Sequence, residues 1–136
     1  MEKMFTGGCL CGAVRYECSA KPVMTGNCHC RDCQKSSGAP FVTAMAVPAS
    51  ALKISGDVKY YEIKAASGNA FSRGFCPEYG ARLFAKSSGM PRLALITAAS
   101  LDDPSQFRPA MDFYISSAQP WDHMDPALPK FAQMPT

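Results

Sequence analysis

Cys28, His29, Cys30, Arg31, Asp32 and Cys33 put three thiols within six residues. A C-x-C pair turns two thiolates toward one side of an irregular strand end, and a third cysteine on the next turn closes a three-sulfur face. Zinc binds thiolates at ~2.3 Å and prefers four ligands in a tetrahedron, so three protein sulfurs leave one position for water or substrate. An open position permits chemistry. The rival arrangement is a closed structural knuckle, with His29 or a distant residue as fourth ligand. If the chain is extended there, the His29 ring points away from the metal face, which suits a supporting or surface role.

A second group pairs Gly7-Gly8-Cys9-Leu10-Cys11-Gly12 with Phe75-Cys76-Pro77-Glu78-Tyr79-Gly80. C-P-x-C-G is a zinc-knuckle turn, and here Tyr79 stands at its second cysteine. Cys9, Cys11 and Cys76 still supply three sulfurs, but a four-thiolate site is one ligand short. A phenol has a pKa near ~10 and is a poor zinc ligand unless a metal lowers it. Cys18 stands apart, in phase with Val14 and Tyr16, and is expected to pack as a small hydrophobe.

These residues need a scaffold, and turn formers separate short runs of β-branched and aromatic residues along the whole chain. Strands are expected near 12–18, 23–28, 41–47, 52–54, 58–63, 71–75, 82–85, 93–97 and 111–115. One short helix opens at Arg31-Asp32-Cys33-Gln34-Lys35 and stops at Ser36-Ser37-Gly38, too short for a core helix. Six of the 11 prolines crowd late, from Pro104 to Pro135, so the tail is expected to wrap the sheet without forming another element. Trp121 is expected to pack there, and His123 has no evident role.

Length and composition set the bounds. At 136 residues, 47% apolar and 18% charged, the chain reads as one globular domain over residues 1–136. The formal charge of +3 is scattered, with no basic block to track a phosphate backbone, so no nucleic-acid partner is expected. The longest apolar runs fall far short of the roughly 20 residues that cross a bilayer. The opening Met1-Glu2-Lys3-Met4-Phe5 has no apolar h-region, so a cytoplasmic protein is expected. Seven cysteines in that compartment stay reduced and hold metal more often than disulfides.

Together these segments resemble the glutathione-dependent formaldehyde-activating enzyme family, also called the centromere protein V/GFA domain. The resemblance rests on Gly8-Cys9-Leu10-Cys11-Gly12-Ala13-Val14-Arg15-Tyr16, on the run from Cys28 to Phe41, and on Arg73-Gly74-Phe75-Cys76-Pro77 with Gly80. Pro120-Trp121, Leu128-Pro129 and Phe131 extend it into the tail. It implies a mostly β, Mss4-like zinc-binding fold of several antiparallel strands with short helical turns. It also implies a catalytic zinc on Cys28, Cys30 and Cys33, and a structural zinc on Cys9, Cys11, Cys76 and a fourth ligand that Tyr79 puts in doubt.

Members of that family are described as joining formaldehyde to glutathione to give S-hydroxymethylglutathione, a carbon–sulfur reaction classed with the lyases. The implied partners are a small thiol such as glutathione and an aldehyde. Zinc either holds the thiol sulfur as thiolate or polarises the aldehyde oxygen, and three thiolates on the metal favour the first. Glutathione is anionic, and Arg31, Lys35 and Arg73 are the candidate cations by proximity to the motifs. Ser36, Ser37 and Gly38 offer donors to a carboxylate or simply cap the helix. Two other readings compete: a zinc-stabilised protein-binding module without catalysis, and dithiol redox chemistry at Cys30-Arg31-Asp32-Cys33, against which Cys28 alongside argues for metal.

Overall fold

The computed structural model describes residues 3–135; Met1, Glu2 and Thr136 lie outside them. Short alternating runs become short strands: β1 (Phe5–Gly8), β2 (Arg15–Cys18), β3 (Met24–Cys28), β4 (Val42–Pro48), β5 (Leu52–Ser55), β6 (Lys59–Lys64), β7 (Ala70–Phe75), β8 (Arg82–Ser87), β9 (Leu93–Thr97), β10 (Asp112–Phe113) and β11 (Lys130–Phe131). The helix α1 spans Arg31–Ser37. Strands β1, β2 and β5 form a three-stranded antiparallel sheet in the order β1-β2-β5. The other eight form a second sheet in the order β11-β10-β3-β4-β9-β8-β7-β6.

The main core unites Phe5, Tyr16 and Cys18 of the small sheet with Met45, Val47, Leu83, Phe84 and Ile96 of the large one. Burying this apolar area is the main favourable term in folding. A smaller cluster lies beside β3, where Cys28, Cys33, Val42 and Phe113 are buried against Cys30, Met111, Tyr114 and Phe131. The mostly β class holds. Cys18 packs in the core as expected, 1% exposed.

Several expectations need correction. The first expected strand divides: 12–14 form a turn, and β1, which pairs with β2, precedes it. Its Gly7-Gly8 lacks the side chains that mark a strand, and Tyr16 and Val14 occupy the space a Cβ would take there. The strand expected at 111–115 shortens to β10, because Tyr114 turns into the left-handed region with φ 58°. The tail does add an element, since β11 pairs with β10 in parallel, and β10 pairs in parallel with β3. The large sheet is therefore mixed. Trp121 is 63% exposed and does not pack under the tail.

Candidate metal centre

Strand β3 ends at Cys28, where Cys28 pairs with Val42 of β4 on one side and Phe113 of β10 on the other. Cys30 then caps α1: its backbone is extended and its Sγ accepts the Cys33 amide N–H at 3.3 Å. This places Cys33 in the first turn, and the helix closes on Gly38 at φ 74°, a conformation glycine adopts freely. The ligand sulfurs of Cys28, Cys30 and Cys33 all lie within 4.8 Å of one another. Among the described residues no further Cys, His, Asp or Glu joins them.

The three thiols lie close enough to act on one another. Donation from Cys28, then from Cys33, holds the Cys30 thiol far below its ordinary range, with the charge of Arg73 acting the same way. The Cys28 thiol is pushed up in turn, by its bonds to Cys30 and Cys33 and by burial. A soft, thiolate-forming donor set of this kind fits zinc.

His29 settles which groups stay out of that set. Its ring is fully buried, with Nδ1 against Asp122 Oδ2 at 2.5 Å and Nε2 against Asp112 Oδ1 at 2.8 Å. Both ring nitrogens are engaged, so neither is free to ligate a metal on the thiols. The surface alternative for His29 falls, and the supporting one stands: its carbonyl accepts from Gln34 Nε2 at 2.7 Å, and its amide donates to Phe113 at 3.0 Å. Burial pushes the Asp112 carboxyl up, but bonds from His29, Lys130 and Asn27 outweigh it and leave the carboxyl low.

The candidate cations divide. Arg31 donates to Gln34 Oε1 on its own helix, and Lys35 is exposed. Arg73 lies over the Phe71 ring at 4.6 Å, and its charge reaches Cys30. Arg82, which sequence reasoning missed, donates to Ser36 Oγ at 2.9 Å, and its charge reaches Cys33. The Nε atoms of Arg73 and Arg82 are buried with no hydrogen-bond partner. Tyr114, also missed, packs on the thiol cluster, and burial followed by the charges of Cys28, Cys30 and Cys33 pushes its phenol up. It is the one non-glycine residue at positive φ among the described residues, a strained conformation that concentrates at working sites.

The second group also assembles. Cys11 Sγ lies 3.6 Å from Cys9 Sγ and 3.7 Å from Cys76 Sγ. Both turns are formed: Gly80 at φ 95° donates to the Cys76 carbonyl at 2.7 Å, and Gly12 at φ 79° donates to that of Cys9 at 2.9 Å. The backbone N–H of Tyr79, then that of Glu78, holds the Cys76 thiol down at about 7. Tyr79 itself is 59% exposed. Each trio of thiols is thus arranged to hold a metal ion.

Comparison with known proteins places the chain. No curated protein matches it. A crystal structure of a Rhodobacter sphaeroides protein shares the fold with a TM-score of 0.59 at 21% identity, covering 74% of this chain and 93% of that one. The family model described as glutathione-dependent formaldehyde-activating enzyme matches residues 4–117, a span that holds both thiol trios, and the chain belongs to that family.

Proposed function

We propose that the chain, acting as one domain over residues 1–136, is a zinc-dependent carbon–sulfur lyase-type enzyme. It joins a thiol, glutathione or a close analogue, to an aldehyde such as formaldehyde in the reducing cytoplasm. The observation that carries this reading is a three-thiol cluster whose one neighbouring imidazole, His29, is fully engaged elsewhere. Zinc bound by Cys28, Cys30 and Cys33 supplies a lowered thiol pKa for the incoming sulfur near neutral pH.

The reaction adds S–H across C=O. A sulfur–carbon bond forms, the carbonyl π pair becomes the bond of a new hydroxyl, and the thiol proton ends on that oxygen. Arg73 and Arg82 present positive charge beside the thiols and suit an anionic thiol. Arg31 and Lys35 add charge along α1. The Tyr114 phenol, kept protonated by its surroundings, suits hydrogen bonding to an aldehyde oxygen. Cys9, Cys11 and Cys76 join the turn after β1 to the turn after β7, a structural role.

The test is the rate of exchange between formaldehyde and S-hydroxymethylglutathione, followed by exchange NMR on zinc-loaded protein. Acceleration over the uncatalysed reaction that disappears in Cys30→Ser supports the assignment. A parent no faster than buffer overturns it.

A further inference from the structure

We propose that Cys9, Cys11 and Cys76 form a second metal site whose fourth ligand comes from solvent, and that a small uncharged thiol fills it. The sulfurs already converge, at 3.6 and 3.7 Å from Cys11 and all within 4.8 Å of one another. The two turns that carry them need no fourth ligand to form. Ala13 donates its amide to Cys11 Sγ at 3.4 Å, Gly12 and Gly80 close the turns, and Cys76 is tied to Ala81 by a backbone bond of 3.0 Å.

One side of the cluster is sealed and the other is open. Cys9 and Cys76 are 5% and 0% exposed and belong to the main core. Cys11 is exposed, as are its chain neighbour Leu10 at 79% and Tyr79 at 59%. Tyr79 occupies the position from which the turn would present a fourth thiolate. Among the described residues no other Cys, His, Asp or Glu completes the set. An ion held by the three sulfurs would therefore take its remaining ligand on the solvent side, where Cys11 is exposed.

Chemistry selects the occupant. Three thiolates on a divalent ion leave a net negative charge, which repels carboxylates and phosphates. A thiol arrives neutral, releases its proton to solvent and displaces water, and its soft sulfur matches the existing donors. The same negative charge favours a small thiol with an uncharged body. This site stands apart from the trio on α1, so it holds whether or not that trio is catalytic.

The experiment loads parent, Cys11→Ser, Tyr79→Phe and Tyr79→Cys proteins with cobalt(II), a spectroscopic stand-in for zinc, and titrates each with 2-mercaptoethanol. Cys11 and Tyr79 are exposed, so these variants leave the core intact. The expected result is about two cobalt ions per chain in the parent and about one in Cys11→Ser, as each trio supplies one site. The visible difference spectrum, parent minus Cys11→Ser, then responds saturably to 2-mercaptoethanol. Tyr79→Phe keeps that response, and Tyr79→Cys loses it while still binding about two ions, its fourth place being closed. Equal cobalt in parent and Cys11→Ser overturns the site. No saturable response, or one that survives in Tyr79→Cys, overturns the open position. A response that grows in Tyr79→Phe shows the phenol to be the resident ligand and overturns the external one.

Discussion

His29 shows how one residue can support a cluster of three thiols without joining it. It lies between two of the cluster's cysteines, and its ring is clamped between Asp112 of β10 and Asp122 of the tail. The C-x-C geometry is thus held by segments far along the chain. Removing the imidazole leaves two buried carboxylates facing each other across a cavity. Leaving a buried polar group without its hydrogen-bond partner costs about 1–3 kcal/mol. His29→Ala should therefore lower unfolding free energy by at least about that amount in denaturant titration, and a loss within error of zero would contradict the clamp. The sequence offered no signal for either aspartate. Asp112 sits in a two-residue strand and Asp122 in a Pro-rich tail, and the sequence holds no spacing that links them to His29.

Elements position the site through close approach. Strand β10 lies against β3 at Gly26, where an added Cβ would come 2.5 Å from Phe113 Cε1 and 3.0 Å from Met111 Cγ. Gly26→Ala should push β10 off β3 and cost about 1–3 kcal/mol, the usual penalty of overpacking. A thermal melt matching the parent would refute it. On the small sheet, Asp102 accepts from Arg15 at 2.8 Å and from Thr6 at 2.7 Å, tying the segment after β9 to β1 and β2. The Arg15 guanidinium, then Thr6, holds its carboxyl down at about 2. A carboxyl depressed by folding contributes stability above its unfolded pKa and loses it as pH falls through the folded one. The contribution should disappear between about pH 4 and pH 2, and because the pair is well exposed it is worth under about 1 kcal/mol. Asp102→Asn should flatten that part of the stability–pH curve, and an unchanged slope would count against the strut.

Across the whole molecule, one thiol trio is local to α1 and the other joins distant parts of the chain, and their legibility differed for physical reasons. The trio on α1 was plain from sequence, since strand end, capping residue and first helical turn follow within six residues. The ligand set at Cys9, Cys11 and Cys76 was readable because each half is a compact Gly-terminated turn. Strand β1 was not readable, because Gly7-Gly8 answers to the Tyr16 ring and carries no apolar pattern of its own. Arg82 and Tyr114 were hidden for a similar reason: β8 and the turn after β10 carry them to the thiols from 49 and 81 residues beyond Cys33. Closing the second site should stabilise the assembled molecule, since a structural zinc contributes directly to folding. Tyr79→Cys should melt higher than the parent with zinc present and not in its absence. No zinc-dependent gain would contradict that clamping role.

The central claim is that Cys28, Cys30 and Cys33 hold a metal ion, and elemental analysis tests it most directly. Zinc per chain is measured on parent and Cys30→Ser proteins, both purified without chelator. The account predicts that Cys30→Ser loses about one zinc per chain relative to the parent, the single ion a three-thiol centre holds. Equal zinc in the two proteins would contradict it and leave the cluster a structural feature of the fold.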